Sequence, residues 1–137
     1  MYVSSYQARA LLESAEAKAR ELEVPVNIVV LDAGGHLKAF HRMDGAVLAS
    51  IDIAMRKAKT AALFECNSED IWEFCKPGAA APGLELTNGG LAPYGGGIAL
   101  KCPNGVTAGA VGVSGGSIQQ DMEIAQAALA TFEAMLG

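Results

Sequence analysis

VNIVVLDAGGHLKAFHRM, residues 26–43, is the stretch whose reading decides the fold. VNIVVLD is a short β-branched run, the composition of a buried strand. AGG at residues 33–35 turns the chain, and HLKAFHRM runs back as the second strand of a hairpin. A hairpin makes its strands antiparallel neighbours. The segment therefore predicts an antiparallel sheet, not a parallel one built on crossover helices.

The flanking residues say what covers that sheet. Upstream, Ser4 to about Glu23 reads as an amphipathic helix, with Ala8, Leu11, Leu12, Ala15, Ala19 and Leu22 at helical spacing. Ser4 and Gln7 have the spacing of a capping box, and Pro25 bars continuation. Downstream, residues 46–64 read as a second helix with a stripe of Leu48, Ile51, Met55, Ala58 and Ala62. A short helical turn is expected over Ser68–Phe74, capped by Ser68 with Asp70 in its first turn. Residues 76–97 are rich in proline and glycine and have weak periodicity; loops this long in a small domain are often functional. IALKC, the turn PNG and VTAGAVGVS read as a second hairpin whose last strand is nearly all small residues. Such a strand lets a helix or a ligand approach the backbone closely. A final helix opens at GGSIQQD, with Ser117 and Gln120 as a second capping box.

The predicted order is α-β-β-α-loop-β-β-α, with room for a fifth strand in the loop. The expected class is α+β: an antiparallel sheet of about five strands flanked by helices. At 137 residues the chain suits one domain, 1–137. A net charge of −5 gives a phosphate backbone nothing to bind, so nucleic acid is not an expected partner. No apolar run is long enough to span a bilayer, so no membrane partner is expected. MYVSSYQARALLE lacks the apolar stretch of a secretory signal. Cys66, Cys75 and Cys102 are odd in number and scattered, which fits a reducing compartment; a cytoplasmic protein is expected. Cys75 reads as a small buried residue before it reads as a reactive thiol.

Four groups of residues carry possible chemistry. His41, Arg42, Met43 and Asp44 end the first hairpin just before Gly45. Alternation puts His41 and Met43 on one face and Arg42 on the other. His and Met are possible haem ligands, but two on one strand cannot grip opposite sides of a flat macrocycle. The alternative is a polar corner fixed by an Arg42–Asp44 pair. Lys57 and Thr60 share one helix face, able to hold a carboxylate or a propionate, or else solvated. GVSGGSIQQD, residues 112–121, places Gly115, Gly116 and Ser117 at a helix start, where N–H groups favour an anion. A tight strand-to-helix corner is the simpler account. NGGLAPYGGG, residues 88–97, sets Tyr94 among glycines including Gly96, as an aromatic wall or donor over a ligand.

DAGGHLKAFHRMDGA, SIDIAMRKAKTAALF, YGGGIAL and GAVGVSGGSIQQDMEIAQAAL, in that order, resemble the GlcG/HbpS family of haem-binding or haem-degrading-type domains over nearly the whole chain. The same domain type occurs at the C-terminus of some cobalamin adenosyltransferases of the PduO kind. The resemblance implies a profilin-like α+β fold and a homo-oligomer, from dimer to octamer. It departs at Gln119, where the family usually has glutamate, and at Ala99, where it usually has proline. An amide at Gln119 cannot transfer a proton as a carboxylate does.

Three functions follow, and whether the chain is an enzyme stays open. The first is a tetrapyrrole-binding module, with haem as the cofactor before a corrinoid. His41 is the first axial candidate and Tyr94 the next, with Arg42 or Lys57 as the cation and the glycine loop as the slot. The second is a cofactor-independent catabolic enzyme acting on a small carboxylate or aldehyde by tautomerisation, hydration or adduct breakdown. Arg42 or Lys57 would hold the carboxylate, Gly115–Ser117 N–H groups would hold an oxyanion, and Asp44 or Asp121 would move the proton. The third is a non-catalytic accessory subunit.

Overall fold

In the computed structural model, which describes residues 2–136, the elements are α1 (Ser5–Glu21), β1 (Asn27–Asp32), β2 (Leu37–Arg42), α2 (Ala49–Phe64), α3 (Trp72–Cys75), β3 (Gly97–Lys101), β4 (Thr107–Ser114) and α4 (Ile118–Met135). The four strands form one antiparallel sheet in the order β2-β1-β4-β3. Both expected hairpins form, and the long connection between them closes the sheet by bringing β4 beside β1.

The α+β class is as expected, but the sheet has four strands and no fifth. Residues 76–97 make turns and one short 3-10 turn, Leu84–Leu86, instead. The cause lies in the residues: Pro77, Pro82 and Pro93 interrupt any ladder, and Gly78, Gly83, Gly89, Gly90 and Gly96 have positive φ. The loop folds on itself through Ala81 N–H to Phe74 O and Leu91 N–H to Glu85 O.

Alternation along β1 feeds two apolar layers. Ile28 and Val30 join α1 and α4 on one face, and Val29 and Leu31 join α2 on the other. The second layer is thin because it is mostly alanine: Ala54, Ala58, Ala61, Ala62 and Ala110. Here α2 rests almost on the backbone of β4. A Cβ on Gly112 would lie 2.3 Å from Ala54 O and 2.7 Å from Ala58 N, so no side chain fits.

Both capping boxes are present, at Ser4–Gln7 and Ser117–Gln120. The third cap differs from expectation. Asn67, not Ser68, caps the turn Ser68–Ile71, with Asp70 reciprocating. Ser68 is buried and bonds elsewhere. The first helix ends at Glu21 because Glu23 turns to positive φ, and α2 begins at Ala49, after the turn at Gly45.

Candidate functional site

The sequence candidates fall into two corners of the molecule. The first lies where α2, β4 and α4 meet. Lys57 is 1 % exposed, and its Nζ donates to Val113 O and to Asp121 Oδ2, each at 3.0 Å. Asp121 Oδ1 accepts from Gly116 N–H at 2.9 Å. Burial pushes the Lys57 amine below its ordinary pKa, and Asp121 opposes that shift. A Cβ on Gly96 (φ +126) would lie 2.6 Å from Val113 O and 3.0 Å from Lys57 Nζ. The glycine loop thus seals the amine, and Lys57 is not on a solvated helix face.

The Thr60 face of α2 is equally buried. Thr60 Oγ1 donates to Arg56 O and accepts from Ala92 N–H at 3.0 Å. Ser68 Oγ accepts from Gly97 N–H at 2.9 Å and donates to Tyr94 O. The loop over Lys57 is therefore pinned at Ala92, Tyr94 and Gly97. The start of α4 is similarly occupied: Gly116 N–H serves Asp121, and Ser117 N–H serves Gln120 Oε1. Of the three expected oxyanion donors, two already have partners. Gly115 has φ +137, and a Cβ there would meet Pro25 O, as a tight corner requires. Gln119 is exposed and donates to Glu123.

Outside this sealed corner, Tyr94 stands over a cleft of about 240 Å³ lined by Trp72, Pro93, Tyr94, Gly95 and Ile118. Its walls are almost wholly apolar.

The second corner gathers His41, Arg42, Met43 and Asp44 with Glu16 and Arg20 around a cleft of about 310 Å³. His41 pairs with Ile28 across the sheet and so faces α1. Its Nε2 lies 3.2 Å from Glu16 Oε2, yet is sealed from solvent and not aligned for a hydrogen bond. Arg20 holds the same carboxylate oxygen at 2.6 Å. The Arg20 hydrogen bond, and next the His41 contact, set the Glu16 carboxyl below its ordinary pKa. Met43 Sδ accepts from Val26 N–H at 3.5 Å, a structural task. Among the described residues Arg42 and Asp44 make no ion pair with each other, so the corner is not fixed by that pair.

Glu16, Arg20, Ser68, Trp72 and Ile118 belong to these corners but were not expected there. Glu16 and Arg20 are four apart on α1, a visible spacing. Which strand they face is a tertiary fact. Burial pushes the Cys66 and Cys75 thiols up, away from thiolate reactivity. No three His, Cys, Asp or Glu residues cluster as a metal site among the described residues. No helix among them is long and apolar enough to cross a membrane.

The fold and the two corners define a small α+β domain with a sealed polar knot at Lys57 and open clefts at Tyr94 and His41. The chain belongs to the family described as haem degrading protein HbpS-like, whose model matches residues 3–130. It is 41% identical over 126 residues to a 15.0 kDa protein of the dhaT–dhaS intergenic region of Citrobacter freundii, covering 91% of this chain and 88% of that one. It is 39% identical to the corrinoid adenosyltransferase PduO of Citrobacter freundii, spanning 95% of this chain but only 39% of PduO. Among solved structures, a PduOC–haem complex superposes with a TM-score of 0.91 at 37% identity, covering 96% of this chain and 95% of that one.

Proposed function

We propose that this chain binds haem in the cleft between α1 and the end of β2, with His41 as axial ligand. The observation that carries this is the His41 imidazole, whose Nε2 is buried without a hydrogen bond, in a cleft that also holds Arg20 and Arg42. The nearby Glu16 carboxylate does not give that atom an aligned hydrogen bond, and a buried polar atom without one is costly. A turn of the ring away from Glu16 would give that nitrogen a ligand. Arg20 and Arg42 supply cations for two propionates, whose carboxylates guanidinium forks match. Asp44 sits at the same rim and sets the polar edge. When bound, haem supplies an iron centre tuned by its axial ligand and surroundings. The 37% identity to a PduOC–haem complex supports haem binding.

At about 310 Å³ the cleft is at the small end for enclosed ligands, so one chain covers only part of a macrocycle. A second copy would complete it. Leu37 and Phe40 on β2, with Val47 and Leu48 before α2, are large, apolar and exposed beside this edge, and suit the homo-oligomer.

The test is a haemin titration followed by absorbance. We expect a Soret band that saturates at fixed stoichiometry and is shifted or lost in His41→Ala, with Tyr94→Ala unchanged. Unsaturable binding that no substitution alters would overturn haem binding. A Soret shift in Tyr94→Ala alone would move the seat to the glycine-loop cleft.

A further inference from the structure

We propose that the cleft formed by Trp72, Pro93, Tyr94, Gly95 and Ile118 is a second ligand site, for a small neutral molecule built on one aromatic ring. It shares no lining residue with the His41 cleft. Its loop leads into β3, the sheet edge opposite β2.

Size and charge define the ligand. At about 240 Å³ the cleft falls below the roughly 300–1,000 Å³ of pockets for drug-sized molecules, which leaves room for one ring with a short substituent. No Asp, Glu, Lys or Arg lines it. An ionised ligand would lose its hydration with no partner to replace it. That rules against a macrocycle with two propionates as well as against a carboxylate. The indole and phenol favour a flat ring, and the Tyr94 hydroxyl offers one hydrogen bond to a hydroxyl or carbonyl substituent.

The site is built before any ligand arrives. Ser68, fully buried, holds Tyr94 O and Gly97 N–H, and the turn it opens leads directly into Trp72. One serine thus anchors the backbone beneath Tyr94 and begins the turn that carries Trp72. The floor is backbone: a Cβ on Gly95 would lie 2.5 Å from Met122 Sδ and 2.9 Å from Ile118 Cγ2, so the loop lies directly on α4. Yet Trp72, Tyr94 and Ile118 remain 41 %, 51 % and 48 % exposed. Walls whose backbone is already anchored have less freedom to lose on binding.

Trp72 is the chain's single tryptophan, so its emission reports on this cleft alone. Wild type would be titrated with benzyl alcohol and, separately, with benzoate. We expect a saturable change with benzyl alcohol and at least tenfold weaker binding of benzoate. Tyr94→Ala and Ile118→Ser, both at exposed positions, should each weaken benzyl alcohol binding about tenfold without altering the melting temperature. His41→Ala should bind it as wild type does, whatever its haemin titration shows. A linear, unsaturable response, equal binding of benzoate, or indifference to both cleft substitutions would overturn the proposal.

Discussion

The Lys57 corner and the His41 corner hold the same kinds of side chain in opposite conditions. At the first, a lysine and an aspartate are both nearly inaccessible, and they bond to each other and to the backbone at Val113 and Gly116. At the second, two arginines, an imidazole and two carboxylates share an open cleft; Glu16 holds Arg20 and approaches His41 Nε2 without a hydrogen bond. A buried charge whose partners are all internal is committed to them, and removing one partner strands the other. A charge left half-satisfied at a cleft is available to a ligand. Residue type alone does not separate the two; the neighbours do.

The largest expected effect breaks the first corner. Lys57→Met strands Asp121 as a buried unpaired charge and should cost about 3–5 kcal/mol in denaturant unfolding. It should also remove a pH slope. The native Lys57 amine has its pKa below the unfolded 10.5, so between those values the unfolded chain binds more protons. Wild-type stability should therefore climb as pH rises through that window, a climb absent from Lys57→Met.

Gly112→Ala should come next, at about 1–3 kcal/mol, because its Cβ meets helix backbone that cannot give way. Ser68→Ala leaves the buried Gly97 N–H without its acceptor and should cost about 1–3 kcal/mol, with a shift in Trp72 emission as the cleft walls loosen. If the emission is unchanged, Ser68 does not govern the walls.

Substitutions in the second corner should reverse the pattern. Arg42→Ala should change stability by less than about 0.5 kcal/mol yet weaken haemin binding. Unfolding without loss of binding would erase the contrast between the corners. The smallest effect is Glu16→Gln. The folded Glu16 pKa lies below 4.5, so its stabilisation is complete above that value and is lost as pH falls through the folded pKa. The variant should lack this acid slope in a melting series, and salt should shrink it in wild type.

Much of this was legible in the sequence. Periodicity marked α1 and α4, and the turn residues at 33–35 and 103–105 marked both hairpins. The fifth strand was misjudged because a long Pro/Gly segment leaves its own hydrogen bonding undetermined until Ser68 and Thr60 reach it from elsewhere. The same limit applies to the sites. Lys57 and Asp121 are 64 residues apart, and nothing local marks them as partners. Ser68 looked like an ordinary cap because a serine opens the turn with Asp70 following in its first turn, and only the arrival of Gly97 shows its other use.

The alanine and glycine seam between α2 and β4 has a thermodynamic side. Side chains without rotatable bonds lose no rotamer freedom when they are buried. Ala54, Ala58, Ala61, Ala110 and Gly112 therefore come together at almost no side-chain entropy cost. The same poverty leaves the seam no alternative rotamers through which to absorb a strain. Its response to stress has one form: helix and sheet stay together or separate as a unit. Amide exchange along Ala54–Ala61 and Ala108–Val113 should then proceed only with global opening, while the rims around Tyr94 and His41 exchange ahead of it.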